Sequence, residues 1–310
     1  MEMKKISTRE AYGRALAKLG EKYPNLVVLD ADLVGATKTG YFQKAFPNRH
    51  FDCGIAEANM LGVASGLANE GFIPVVSSFA MFVSGRAYEQ IRNSIGYPAL
   101  NVKIVATHGG VSVGEDGATH QCNEDIALMR TIPGMTVLCP SDGVETEKAL
   151  AWAIEHDGPV YMRLGRPDVP LFNEENMEFS LKNACMKEGK DVTLFATGLC
   201  VYECLKASEI LKEKNIDAEI IGVRSLKPID EESLLASAQK TGRVVTVEEH
   251  SIVGGLGSVV TQVLSEKLPT KTLCIGVPDT YGQSGSASQL LDYFGLTGEK
   301  IAEKVLAFLK

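Results

Sequence analysis

Residues 25–32 read NLVVLDAD, an unbroken apolar run from Leu26 to Leu29 that follows Pro24 and ends in acids. Without alternation, such a run is a strand buried on both faces. The pattern recurs as FIPVVSSF (72–79), NVKIVATH (101–108), MTVLCP (135–140) and PVYMRL (159–164). Helical segments lie between these runs. Ser7 and Glu10 form a capping box ahead of an amphipathic helix running to about Tyr23. Further helices are predicted from about Ile55 to Asn69, around Arg86 to Ile95, and from Asp142 to His156. Strands alternating with helices predict an α/β fold with a largely parallel, covered sheet. Sites in such sheets lie beyond the carboxyl ends of the strands, where Asp32, Phe79 and His108 fall.

Between Pro167 and Lys190 the periodicity lapses and charge, Asn and Pro take over, which predicts a linker. Beyond it DVTLFATG, DAEIIGVRSL, RVVTVEEHS and KTLCIGV read as four more strands separated by helices, and IAEKVLAFLK as a closing helix. At 310 residues the chain exceeds the size at which a single core usually stops growing. Two domains are expected, each a mostly parallel sheet covered by helices: residues 1–170, a linker at 171–189, and residues 190–310.

Composition narrows the function classes. With 45% hydrophobic and 23% charged residues, the chain is globular. A net charge of -8 argues against binding nucleic acid or an anionic membrane, so an anionic substrate must be captured by local cations. No apolar run is long enough to span a bilayer, and a cytoplasmic location is expected. The seven cysteines show no CxxC pair and the five histidines no metal spacing, which suits free thiols and no metal ligand.

Three stretches carry possible chemistry. DCGIAEANMLGVASGLANEG (52–71) sets Glu57 at the start of a helix that is apolar nearly all round. Alone, Glu57 is an ordinary first-turn acid favoured by the helix dipole. On a buried helix, however, a carboxyl needs a specific partner or stays protonated. Gly62 and Gly66 would let another backbone approach, as at a subunit interface. Phe79 and Phe82, in SFAMF (78–82), fit a core better than a cofactor platform when read on their own. THGGVSVGEDGATHQ (107–121) is too polar and glycine-rich for a core element, and sets His108, Asp116 and His120 on a loop after a buried strand. It lacks the GK[ST] ending of a phosphate-cradling loop. A fourth stretch, EEHSIVGGLGSVV (248–260), imitates a dinucleotide fingerprint but lacks its third glycine, and reads as a structural turn.

Taken in order, Glu57 in GIAEANM, the SFAMF pair and GEDGATHQ (114–121) resemble the transketolase family. The resemblance covers nearly the whole chain, with the family's pyrimidine-binding domain at about 1–170 and its C-terminal domain at about 190–310. It implies a thiamine-diphosphate enzyme. Glu57 would bond the aminopyrimidine ring nitrogen and favour the imino tautomer, which takes the thiazolium proton. Phe82 would stack on the pyrimidine, Phe79 would wall its pocket, and Asp32 would lie near the cofactor. Asp116 would contact a donor-sugar hydroxyl; His108, His120, Arg166 and, less securely matched, Arg9 would surround the substrate's hydroxyls and phosphate. The implied catalytic residues are therefore Glu57, His108 and His120. A serine that some members use near the phosphate is Ala36 here, and a pyrimidine-pocket tyrosine is Gly85.

The family holds the diphosphate through a divalent metal, Mg or Ca, on a GDG motif followed by Asn. No GDG occurs in these 310 residues. The resemblance therefore implies an N-terminal partner subunit carrying that site, with activity only in its presence; self-association is expected separately, because the apolar, glycine-bearing helix at 55–70 would otherwise expose a large apolar patch. Its implied substrates are sugar phosphates, exchanged in two-carbon ketol transfer. Deoxyxylulose-phosphate synthase, a 2-oxo acid dehydrogenase beta subunit and a non-catalytic regulatory subunit remain alternatives. GEDGATHQ together with His108 favours transketolase.

Overall fold

In the computed structural model, which describes residues 3–310, the apolar runs assemble into a seven-stranded sheet. Its order is Ser225–Lys227, Thr136–Leu138, Val160–Arg163, Lys103–Thr107, Ile73–Phe79, Leu26–Asp30, His50–Asp52. All neighbours are parallel except the first pair. Residue parity decides which layer each side chain enters. Val28, Val75 and Val105 pack with Tyr12, Leu16 and Leu150 of the helices Thr8–Lys22 and Gly143–Glu155. Leu29, Val76 and Ile104 pack on the other face with Met60 and Leu61 of the helix Glu57–Asn69. Both faces are thus dry, as the unbroken apolar runs require.

A second, five-stranded sheet has the order Lys271–Val277, Arg243–Ser251, Val192–Ala196, Ala218–Gly222, Ala184–Lys187. Only the last pairing is antiparallel. Among the described residues no helix is long and apolar enough to cross a membrane, and all seven cysteines are free thiols.

Several elements differ from the sequence reading. DAEIIGVRSL is two strands: Ala218–Gly222 stays in the second sheet, while Ser225–Lys227 crosses to the edge of the first. The expected linker contains the edge strand Ala184–Lys187. The capping box is half made. The Glu10 amide donates to Ser7 Oγ (3.4 Å), but the Glu10 carboxylate turns to Arg14 and Tyr41. The segment expected as a helix from Arg86 begins at Phe82 and contains two π turns, Phe82–Arg86 and Ile91–Gly96. The helix Glu57–Asn69 is not buried all round. Met60, Leu61 and Ala64 face the core, whereas Ala58, Gly62, Val63 and Gly66 are exposed.

The two halves meet at Arg163, a buried cation at the end of its strand. Its Nε donates to both oxygens of Asp125 (3.1 and 3.0 Å), and its Nη2 donates to the carbonyls of Cys122 and Glu249 (3.2 and 2.7 Å). The glycine run after Glu249 has the structural role the sequence suggested. Glu248 accepts the amides of Leu256 and Gly257 (2.6 and 2.8 Å), capping the helix Leu256–Lys267.

Beside it, His250 Nδ1 lies 2.7 Å from the Ser251 carbonyl, and Nε2 accepts the Ala127 amide at 3.4 Å. These partners fit the neutral ring. Burial lowers the His250 pKa from 6.5 to about 4 and raises that of Glu248, 3.7 Å away, from 4.5 to about 7. In the folded state the acid is therefore the easier of the two to protonate, the reverse of their order in the unfolded chain. At mid-window the folded and unfolded pair bind equal numbers of protons and their slopes cancel.

Single substitutions are expected to unmask opposite slopes. In His250→Gln the raised acid remains, so stability falls, relative to the parent, as pH rises from 4.5 to 7. In Glu248→Gln the depressed histidine remains, so stability falls as pH drops from 6.5 to 4. Each effect reaches about 3 kcal/mol across its window, measurable as urea midpoints at several pH values. Slopes of the same sign in both variants would contradict this pairing.

Candidate active site

The neighbouring strands Leu26–Asp30, Ile73–Phe79 and Lys103–Thr107 run parallel, so their carboxyl ends share one edge. Phe79 is the last residue of its strand, and His108 follows the next in the left-handed region (φ 59°). The two rings stack with centroids 3.8 Å apart. Phe82 also stacks on Phe79, at 5.5 Å, and His120 meets Phe82 edge-on at 5.2 Å. The sequence-predicted residues Phe79, Phe82, His108 and His120 therefore form one aromatic cluster.

His108 is buried, with Nδ1 2.8 Å from Thr107 Oγ1. Burial first, then the charges of Arg9, Arg166 and His120, push its pKa down to about 3. Near neutral pH it is an uncharged hydrogen-bonding group. Arg9 donates from Nη1 to the Ala36 carbonyl (2.9 Å) and from Nε to the Arg166 carbonyl (3.3 Å). Arg166 pairs with Glu115 at 3.1 Å and also donates to the Val113 carbonyl. Burial and the proximity of Arg166 lower the Arg9 pKa. Arg9 and Arg166, joined through the Arg166 carbonyl, form a local cationic patch on an acidic chain, suited to an oxyanion.

Glu57 is the first residue of its helix, and its side chain is only 4% exposed. Its Oε1 accepts from Arg86 Nη1 at 3.1 Å. The Arg86 guanidinium lies 4.2 Å from the centroid of the Phe82 ring, so it ties the acid to the aromatic cluster. Phe82 and Arg86, though not Glu57 itself, line an open trough of about 990 Å³. Phe82, Gly85 and Arg86 form one wall, and Asp279, Tyr281 and Gly282 of the C-terminal half form the other.

Two predicted residues stand apart. Asp32 is exposed, and its carboxylate has no polar partner among the described residues; its amide donates to Asp52 (3.0 Å). Asp116 is exposed on its loop and likewise unpaired among those residues. In the DAD run, Asp30 is the structural acid, buried and accepting from the Leu33 amide, Thr37 Oγ1 and Thr39 Oγ1 (2.6, 2.7 and 2.9 Å).

The C-terminal half holds the 107–121 loop in place. Glu249 accepts the Ser112 amide at 2.5 Å and packs so close to Gly110 (φ 85°) that no side chain fits there. Gln121 Nε2 donates to the carbonyls of Val111, Gly114 and Gln283 (3.2, 3.2 and 2.9 Å). Among the described residues, one trio, Cys185, Glu188 and Glu219, has metal-like proximity. Lys240 pairs with both of its carboxylates, and the trio lies outside the aromatic cluster.

Comparison with known proteins gives the same order of domains. Residues 4–170 match the transketolase pyrimidine-binding domain and residues 182–301 the transketolase C-terminal domain. The chain belongs to the transketolase family. A protein of Methanocaldococcus jannaschii assigned as a transketolase C-terminal section is 52% identical over 97% of this chain and 96% of its own length. A 6-deoxy-6-sulfo-D-fructose transketolase subunit of a Clostridium species is 44% identical over 94% of this chain and 91% of its own. A solved split-gene transketolase, described as an inactive β4 tetramer, superposes with a TM-score of 0.90 at 48% identity, covering 98% of both chains.

Within this transketolase architecture the sequence reading missed Arg86, Gln121 and Glu249. Arg86 left one usable signal, a cation four residues after an aromatic. Glu249 left none, because a carboxylate reaching across domains has no local spacing.

Proposed function

We propose that this chain is the pyrimidine-side subunit of a thiamine-diphosphate-dependent transketolase. It moves a two-carbon ketol unit from a ketose phosphate to an aldose phosphate, and works with an N-terminal subunit that holds the diphosphate and its divalent metal. Residues 1–170 form the pyrimidine-binding domain and 190–310 the C-terminal domain, joined by a linker at 171–189 that lends the strand Ala184–Lys187 to the second sheet.

The observation that carries this reading is Glu57, a buried acid joined through Arg86 to the face of Phe82. A carboxyl tied through Arg86 to an aromatic platform that lines an open trough fits a flat, basic heterocycle. Glu57 would hold a proton at the ring nitrogen, and Phe82 and Phe79 would support the ring. When bound, thiamine diphosphate supplies the carbon nucleophile that carries the ketol unit. Asp32 would stand near the cofactor. His108, being neutral, would exchange hydrogen bonds with sugar hydroxyls, joined by His120 and Asp116, while Arg9 and Arg166 would clamp the anionic end. The sulfo-sugar named for the Clostridium relative supports an oxyanion-bearing substrate.

The reading is tested by mixing this chain with a GDG-bearing partner and assaying ketol transfer from ketose phosphates, a sulfo-ketose, and pyruvate plus glyceraldehyde 3-phosphate. Transfer from a ketose is the expected result. Turnover of pyruvate alone would replace it with the synthase reading. In the same assay, Arg166→Ala should raise KM for a phosphorylated donor about 10–100-fold with a smaller change in kcat, since a charge-assisted hydrogen bond is worth about 1.5–3 kcal/mol. A nonphosphorylated ketose should show no such rise.

Self-association is part of the proposal. Ile55 is 76% exposed, and Gly62 and Gly66 open onto empty space beside the exposed Val63. That surface suits close packing with a second copy, and the β4 assembly described for the solved relative supports it. Val63→Asp is expected to shift sedimentation toward monomer, and an unchanged oligomer would remove this face from the interface.

A further inference from the structure

We propose that Arg86 is a positioning residue for Glu57, pinning one carboxylate oxygen and leaving the other free for a ligand. The proposal rests on the reading of Glu57 given above. It starts from the poverty of other constraints on that acid. Ala56, which precedes the helix, offers no side-chain cap, and the Glu57 carboxylate accepts no backbone amide. Among the described residues its one polar partner is Arg86, which takes Oε1 and leaves Oε2 unpaired. A glutamate has three side-chain torsions, and burial alone does not choose the direction of its carboxyl. A charge-assisted hydrogen bond from a held guanidinium does.

Arg86 can serve this way because it is itself held. It closes the π turn that Phe82 opens, which returns the two side chains to one side of the segment. There the guanidinium lies along the Phe82 ring at 4.2 Å. Gly85 contributes no side chain to this wall, where the family resemblance places a tyrosine. Arg86 supplies the wall instead and lines the trough. One side chain thus relates the direction of the acid to the plane of the aromatic platform. An ordinary surface ion pair would contribute nothing to that relation.

The test uses the chain assembled with its partner and thiamine diphosphate, comparing the parent, Arg86→Met, Arg86→Lys, Glu57→Gln and the double variant Arg86→Met with Glu57→Gln. Two quantities are measured: equilibrium affinity for the cofactor, and the rate at which its thiazolium proton exchanges with deuterium. Arg86→Met is expected to slow exchange about 10–100-fold, the scale of a misplaced catalytic group, while affinity changes far less. Arg86→Lys should recover part of the loss, because it restores a cationic donor without the planar fork. In the Glu57→Gln background, Arg86→Met should slow exchange no further.

Exchange at the parent rate in Arg86→Met, or losses that multiply in the double variant, would overturn the positioning role while leaving Glu57 in place. A loss of affinity with exchange intact would make Arg86 a wall only, and also overturn it. Parent-rate exchange in Glu57→Gln would remove the underlying reading, and the Arg86 proposal with it.

Discussion

Glu57→Gln, in the chain assembled with its partner, is expected to lower ketol transfer about 10²–10⁴-fold, the usual worth of a positioned acid or base. The substitution keeps the length and planarity of the side chain and removes the group that can give and take a proton. It is also a clean test of chemistry rather than of folding. Breaking a buried ion pair is costly when the orphaned partner stays buried. Here the partner, Arg86, is half-exposed, so water takes over its solvation, and the stability change is expected to stay within about 1 kcal/mol. Steady-state kcat and thermal melting of the parent and variant, compared side by side, check both statements. A fall of less than threefold in kcat would show that proton traffic at the ring does not pass through this acid.

What the sequence revealed follows from where its signals are local. Leu26–Asp30, Ile73–Phe79 and Lys103–Thr107 are legible because a strand buried on both faces must be apolar at every position. Once the sheet is parallel, its site edge is legible too, and Phe79 and His108 lie on it. The crossing at Gly222–Ser225 is not, because a strand that changes sheets keeps its composition. Ala184–Lys187 is short, half-exposed and at an edge, so it looks like the linker around it. The helix Glu57–Asn69 shows the same limit from the other side. Its apolar composition announces that something covers it, but not whether the cover comes from this chain. In the structure the core takes one face and leaves Ala58, Gly62, Val63 and Gly66 open. Arg86, placed after Gly85 in a polar stretch, resembles any surface cation until the π turn lays it on Phe82.

The same division of labour sets the second large expectation: this chain alone, with thiamine diphosphate and magnesium, should show no ketol transfer and bind the cofactor about 10³–10⁴-fold more weakly than the two-subunit assembly. On the proposed reading, the residues here serve one end of the cofactor. Stacking a flat heterocycle on an aromatic side chain contributes about 1–3 kcal/mol, against an association cost of at least about 4 kcal/mol. The other end is a multiply charged diphosphate, and a chain of net charge -8 lacks the GDG motif through which the family is expected to hold it. Two or three charge-assisted bonds to that group, at about 1.5–3 kcal/mol each, account for the missing factor. Titrating the cofactor into the separate chain and into the mixture, with ketol transfer followed in parallel, measures both. Tight binding or sustained turnover by the separate chain would mean that some residue of these 310 grips the diphosphate without a GDG motif. The cationic pair Arg9 and Arg166 would then be the first place to look, and its assignment to the substrate's oxyanion would have to be withdrawn.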